Sequence, residues 1–171
     1  MKNIGFIGVG YMGYGIAKNI LKHKNKLFVI ANKNRKPIEK IVSDGAEEVK
    51  SFEDFSSKNL DAMFMCVTNT PIAKLISEKI SDILDSKTLI IDITTHNKTG
   101  SMETEKIFKA KNINYVECPV MGGPVQAEEG ILGGLLERQM KILKSLNHTL
   151  IFSVKNIFTL DLLEWEQNLS F

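Results

Sequence analysis

The chain has 171 residues, 43% of them hydrophobic and 25% charged, which suits one domain with a proper core and is short for two. Its 22 basic and 20 acidic residues are interspersed, so the net charge of +2 marks no basic face for nucleic acid, and no apolar run approaches a membrane span. The opening "MKNIGFIGVG" is broken by glycines where a signal peptide needs a continuous apolar region, and Cys66 and Cys118 lie far apart inside apolar runs, reading as buried reduced thiols in a cytoplasmic domain.

In chain order, "NIGFIGV" predicts a strand and "MGYGIAKNILKHK" a helix with Ile16, Ile20 and Leu21 on one face. A second strand, "KLFVIAN", precedes the helix "KPIEKIVSDG", where Pro37 suits a first turn and Gly45 a C-terminal stop. A third unit starts near Val49, and "VKSFEDFSSK" carries the chain to the strand "DAMFMCVT". There follow a helix from Thr70 to Leu84, the strand "TLIIDIT", the helix "GSMETEKIFKAKN" and the strand "NYVECPV". Continuous apolar strands alternating with helices predict a parallel sheet buried on both faces, a doubly wound α/β fold.

The loop "GVGYMG" sets Gly8, Gly10 and Gly13 at G-x-G-x-x-G spacing between a predicted strand and helix. Glycines there allow a tight turn, close approach of the backbone to a pyrophosphate and close helix–strand packing, while the helix N-terminus faces the phosphates. Dinucleotide binding is therefore expected. NAD sites commonly offer a carboxylate to the ribose at the end of the second strand. Here that end reads "ANKNRK", and Asn32, Lys33, Asn34 and Arg35 suit a 2′-phosphate, which favours NADP over NAD.

"GFIGVGYMGYGIAKNI" resembles the opening of the β-hydroxyacid dehydrogenases, relatives of 3-hydroxyisobutyrate, tartronate semialdehyde and 6-phosphogluconate dehydrogenases and of glyoxylate and succinic semialdehyde reductases. "ANKN" is similar to the family's Asn-Arg-Thr segment, with Lys33 in place of Arg, and "IDITT" to its D-M-S-T strand end. "ECPVMGGPVQAEEGIL" is similar to its substrate segment, with Met121 in place of the usual Ser. The resemblance implies a Rossmann-like domain whose cofactor site comprises Gly8, Gly10, Tyr11, Met12, Gly13, Asn32, Lys33, Asn34, Val67, Thr68 and Thr95, with Thr95 at the nicotinamide end. It implies a substrate site at Met121, Gly122 and Gly123, where the glycine amides hold the carboxylate of a small aldehyde or hydroxyacid. Family members are usually homo-oligomers.

His23, His96 and His148 share no ligand spacing, so they read as surface residues rather than a metal site, and Lys98 reads as a solvated loop lysine. In the family the proton donor is a Lys in G-x-G-x-x-x-K, followed by an all-α domain, and neither occurs in these 171 residues. The ending "IFTLDLLEWEQNLSF" reads as no part of such a domain. Taken one base out of frame, with wobble bases chosen freely, it can spell G-M-G-A-K-L-K, and a glycine is forced where Trp165 meets Glu166. The expected division is a Rossmann domain over 1–136 and an out-of-frame tail over 137–171, with no catalytic residue assigned and no activity for the chain alone. Two other readings are a non-catalytic NADP-binding module and an imine-reductase-like enzyme.

Overall fold

The structure, a computed structural model, describes residues 1–135 and 156–158. The proposed tail therefore lies outside the described residues except for 156–158, as does His148. Six parallel strands form the main sheet: β1 (Asn3–Ile7), β2 (Lys26–Ile30), β3 (Glu47–Val49), β4 (Ala62–Met65), β5 (Leu89–Asp92) and β6 (Tyr115–Glu117). Their order is β3-β2-β1-β4-β5-β6, so the chain works outward from β1 to one edge and then crosses to build the other half. This is the doubly wound, Rossmann-like arrangement that the sequence predicts.

Strand periodicity explains why both faces are covered. In β4, Ala62 and Phe64 enter one core while Met63 and Met65 enter the other; in β5, Leu89 and Ile91 oppose Ile90. The first core joins the sheet to α1 (Tyr11–Lys22) and α2 (Lys36–Ser43) through Ile16, Ile20, Ile38 and Ile41. The second joins it to α3 (Thr70–Ser81) and α4 (Lys98–Lys109) through Ile80 and Phe108, with Phe55 added from a 3-10 helix, Glu53–Lys58. Each fully buried side chain of this size contributes roughly 1.5–3 kcal/mol relative to exposure. Across β1 and β4, Phe6 is in register with Phe64, and their rings stack at 5.8 Å.

Several boundaries shift from expectation. α1 ends at Lys22, and Lys24 takes a φ of +59°, a conformation no helix continues through. Gly45, with φ +113°, does stop α2. "NYVECPV" is not one strand: Pro119 has no N–H for the ladder, and the chain leaves the main sheet after Glu117. Residues Val120–Met121 (β7) then pair antiparallel with Gly133–Leu135 (β8), which pairs with Asn156–Phe158 (β9) in a second, three-stranded sheet. Between β7 and β8 lies the short helix α5 (Pro124–Glu129), packed on α1. Among the described residues no helix is long and apolar enough to cross a membrane, and no group of His, Cys, Asp or Glu is arranged to hold a metal ion.

Candidate dinucleotide site

The carboxyl ends of β1 and β4, adjacent strands whose chains continue to opposite sides, open the crevice where ligands bind in such sheets. Gly8 leaves β1 with φ +98°, and a β-carbon there would stand 2.1 Å from the carbonyl oxygen of Cys66. A β-carbon on Gly13 would stand 2.1 Å from the carbonyl oxygen of Gly8. These two glycines let α1 start directly against the strand ends. Gly10 differs: nothing lies within 4 Å of its β-carbon position.

Gly10 is also the N-cap of α1, and no side chain caps it. The contrast with the other half of the sheet is informative. There Asn69 accepts from the amide of Ile72 at 3.1 Å to cap α3, and Asn97 accepts from that of Gly100 at 2.8 Å to cap α4. α1 thus keeps its first-turn N–H groups beside open space, which fits the pyrophosphate of a dinucleotide. Tyr11 is exposed at this turn, whereas Met12 packs partly against the core.

At the end of β2, Asn32, Lys33 and Asn34 are exposed. Arg35 is already engaged: its guanidinium donates to both carboxylate oxygens of Glu48, at 2.6 and 3.0 Å. Among the described residues Lys33 forms no ion pair, nor does Lys36 at the start of α2, so Lys33 is the available cation nearest the end of β2. Of the expected pair Lys33 and Arg35, only Lys33 is therefore open to a phosphate while Arg35 stays on Glu48.

The other half of the crevice is built on Asp92, wholly buried at the end of β5. Its Oδ1 accepts from the Thr94 amide at 2.9 Å; its Oδ2 lies 2.8 Å from His96 Nε2 and accepts from the Tyr115 hydroxyl at 3.1 Å. His96 Nδ1 lies 3.1 Å from Thr70 Oγ1. The carboxylate facing Nε2 only accepts, so Nε2 carries a proton. This bond holds the imidazole above its ordinary pKa, against the opposing effect of burial. Burial raises the Tyr115 hydroxyl, with the Asp92 charge adding to it. The expectation that His96 lies on the surface is wrong, because its side chain has no exposed area. An enclosed imidazole needs partners, and the charge of Asp92 supplies one; nothing in the spacing of the histidines signals this.

Val67 is half-buried, and its amide donates to Thr94 Oγ1 at 3.1 Å; Thr68 and Thr95 are exposed on the two loops so joined. Cys66 and Cys118 are free and sit just past β4 and β6 rather than within strands; burial pushes both thiols up to about 11. Lys98 is exposed but opens α4 instead of lying in a loop.

The segment expected to bind substrate leads into α5, which packs on α1. Met121 is exposed, Gly122 takes φ +132°, and Gly123 precedes α5. The Gly123 amide donates to Gln126 Oε1 at 3.0 Å, so a carboxylate can take that amide only by displacing the carboxamide. Sequence reasoning missed Gln126, although a Gln three residues into a helix is a known capping signal. Asn19, Lys18 and Gly15 of α1 anchor α5. Asn19 Nδ2 donates to the carbonyls of Ala127 and Glu128, Lys18 pairs with Glu128 at 2.5 Å, and Gly15 leaves no room for a β-carbon against Ala127.

Residues 3–150 match the family model described as the NAD binding domain of 6-phosphogluconate dehydrogenase. Two curated relatives are 2-(hydroxymethyl)glutarate dehydrogenase of Eubacterium barkeri and the mitochondrial 3-hydroxyisobutyrate dehydrogenase of Drosophila melanogaster. The first is 25% identical over 91% of this chain and 52% of its own length, the second 27% identical over 77% and 40%. A solved 3-hydroxyisobutyrate dehydrogenase of Mycobacterium tuberculosis, with L-serine, superposes with a TM-score of 0.86 at 17% identity, over 92% of this chain and 53% of that one; it shares the fold. The chain thus spans about half the length of the curated relatives it matches.

Proposed function

The chain belongs to the family of the NAD-binding domain of 6-phosphogluconate dehydrogenase, and from that premise we propose that it binds NADP within a β-hydroxyacid dehydrogenase or small-aldehyde reductase. One observation carries the cofactor reading. The N-terminus of α1 has no side-chain cap and faces open space at Gly10, while α3 and α4 are capped by their own asparagines. The preference for NADP is supported by Lys33, exposed at the end of β2 with Asn32 and Asn34, a strand end that carries no carboxylate of its own, while the nearby Glu48 is held by Arg35.

When bound, the nicotinamide supplies a hydride acceptor or donor. The chain's own residues do the positioning. The first-turn amides of α1 hold the pyrophosphate, Lys33 and the asparagines the 2′-phosphate, and the loops at Val67–Thr68 and Thr94–Thr95 border the nicotinamide half. Gly122 and Gly123 offer amides to the carboxylate of a small aldehyde or hydroxyacid, with Gln126 holding the second amide until substrate arrives. A second reading, a cofactor-binding module without chemistry, draws support from that same engaged amide.

The test is a titration of the 171-residue chain with NADPH and NADH, followed by nicotinamide fluorescence. NADPH should bind at least about tenfold more tightly, the effect of one charge-assisted contact. Equal dissociation constants would remove the NADP assignment.

A further inference from the structure

We propose that His96 is a positioning residue for the nicotinamide half of the site, an inference that rests on the cofactor reading above. Four bonds join into one path. The Val67 amide donates to Thr94 Oγ1, the Thr94 amide to Asp92 Oδ1, His96 Nε2 to Asp92 Oδ2, and His96 Nδ1 faces the hydroxyl of Thr70. Val67 and Thr70 flank the loop after β4; Thr94 and His96 flank Thr95 on the loop after β5. The path therefore fixes both loops of the second mononucleotide half to one buried carboxylate.

His96 is the member that closes it. Without the imidazole, Asp92 would keep the Thr94 amide and the Tyr115 hydroxyl, but nothing would connect Asp92 to the start of α3. The surroundings fit a permanent partner. The His96 side chain has no exposed area, and the groups facing it are Asp92 on β5, Glu117 on β6 and Thr70 on α3, with the Tyr115 hydroxyl sharing the same Asp92 oxygen. Glu117 is itself held by the Ser101 hydroxyl of α4. With no exposed side-chain area, the imidazole acts on a bound cofactor through Asp92 and the loop that carries Thr94 and Thr95. The first half of the crevice, at the ends of β1 and β2, shares none of these bonds.

That division gives the experiment. NADPH spans both halves, whereas adenosine 2′,5′-bisphosphate occupies only the first. Replacing His96 by Leu in the full chain should weaken NADPH about tenfold and leave the bisphosphate within about twofold, because a lost hydrogen bond to a charged group is of that order. His96→Gln, which keeps a donor for Asp92, should fall between. Thr70→Val, which retains the shape of the side chain, should weaken NADPH in the same direction should His96→Leu not fold. Unchanged NADPH affinity in His96→Leu, or in Thr70→Val where His96→Leu does not fold, or equal weakening of NADPH and the bisphosphate, would overturn the proposal. Failure of the unsubstituted chain to bind either ligand would instead overturn the cofactor reading on which it rests.

Discussion

Asn19 of α1 donates to the main-chain carbonyl of Ala127 at 2.8 Å, across 108 residues of chain. The same carboxamide nitrogen reaches the carbonyls of Gly15 at 2.9 Å and Glu128 at 3.1 Å, and the residue is 5% exposed. One buried side chain thus fastens α5 to α1. Asn19→Leu removes a buried donor shared by three carbonyls and leaves that of Ala127 only the 3.3 Å bond from the Gly130 amide, a cost of about 1–3 kcal/mol. Urea unfolding should show that loss, and a midpoint equal to the parent's would mean that the carbonyls find other partners.

Gly10 and Gly13 should separate binding from folding. Gly10→Ala places a methyl in open space at φ −105°, where any residue is comfortable, so stability should change by less than about 0.5 kcal/mol. NADPH affinity should nonetheless fall at least about tenfold, because the methyl takes the room of the pyrophosphate. Gly13→Ala sets a methyl against the Gly8 carbonyl and should unfold at lower urea even without ligand. The reverse pattern, with Gly10→Ala unstable and binding intact, would contradict the site.

Cofactor choice should rest on Lys33 more than on Arg35. Lys33→Glu should lose most of any preference for NADPH over NADH, since a charge-assisted contact to phosphate contributes about 1.5–3 kcal/mol. Arg35→Gln should change the ratio little, as its guanidinium is held by Glu48. A larger effect at Arg35 than at Lys33, measured by paired titrations, would show that Arg35 leaves Glu48 on binding.

His96 should make stability depend on pH in a defined sense. Its folded pKa is raised, chiefly by the hydrogen bond to Asp92, so the folded state holds the proton more tightly than the unfolded state. The resulting stabilisation is fully present below an unfolded pKa of about 6.5 and is lost as pH rises through the raised folded value. The stability difference between the parent and His96→Gln should therefore shrink as pH increases past about 6.5. Urea curves at several pH values check this, and a difference that grows with pH would reverse the assignment.

Legibility in the sequence followed the range of the interaction. The glycine loop and five of the six main strands are written in local pattern, because "NIGFI" or "TLIIDIT" needs only its own residues to read as a buried strand, whereas β3, three residues with two glutamates, carries no such run. The break at Pro119 was also local, yet the apolar run on either side of it masked the loss of one ladder donor. The ring around Asp92 was not legible. It joins Thr70, His96 and Tyr115, residues that share no periodicity and meet only once β5 and β6 are neighbours. Gln126 lay between these cases, in a capping position that could have been read but whose bearing on Gly123 depends on the turn.

Among the described residues the two outer strands of the main sheet, β3 and β6, are three residues each and border one other strand each, so their outer edges carry groups able to pair with another chain. The edge at β3 is guarded by charge: Glu47 pairs with Lys58 at 2.5 Å and Glu48 with Arg35. The edge at β6 is ended by Pro119, which cannot donate. The width of the sheet is thus limited by what borders it, and a seventh strand from a second molecule would meet acid on one side and an interrupted ladder on the other. Arg35 then has a use apart from the cofactor. Paired with Glu48, it sets charges of both signs on a strand edge beside a ligand crevice, the kind of edge to which a further strand adds poorly.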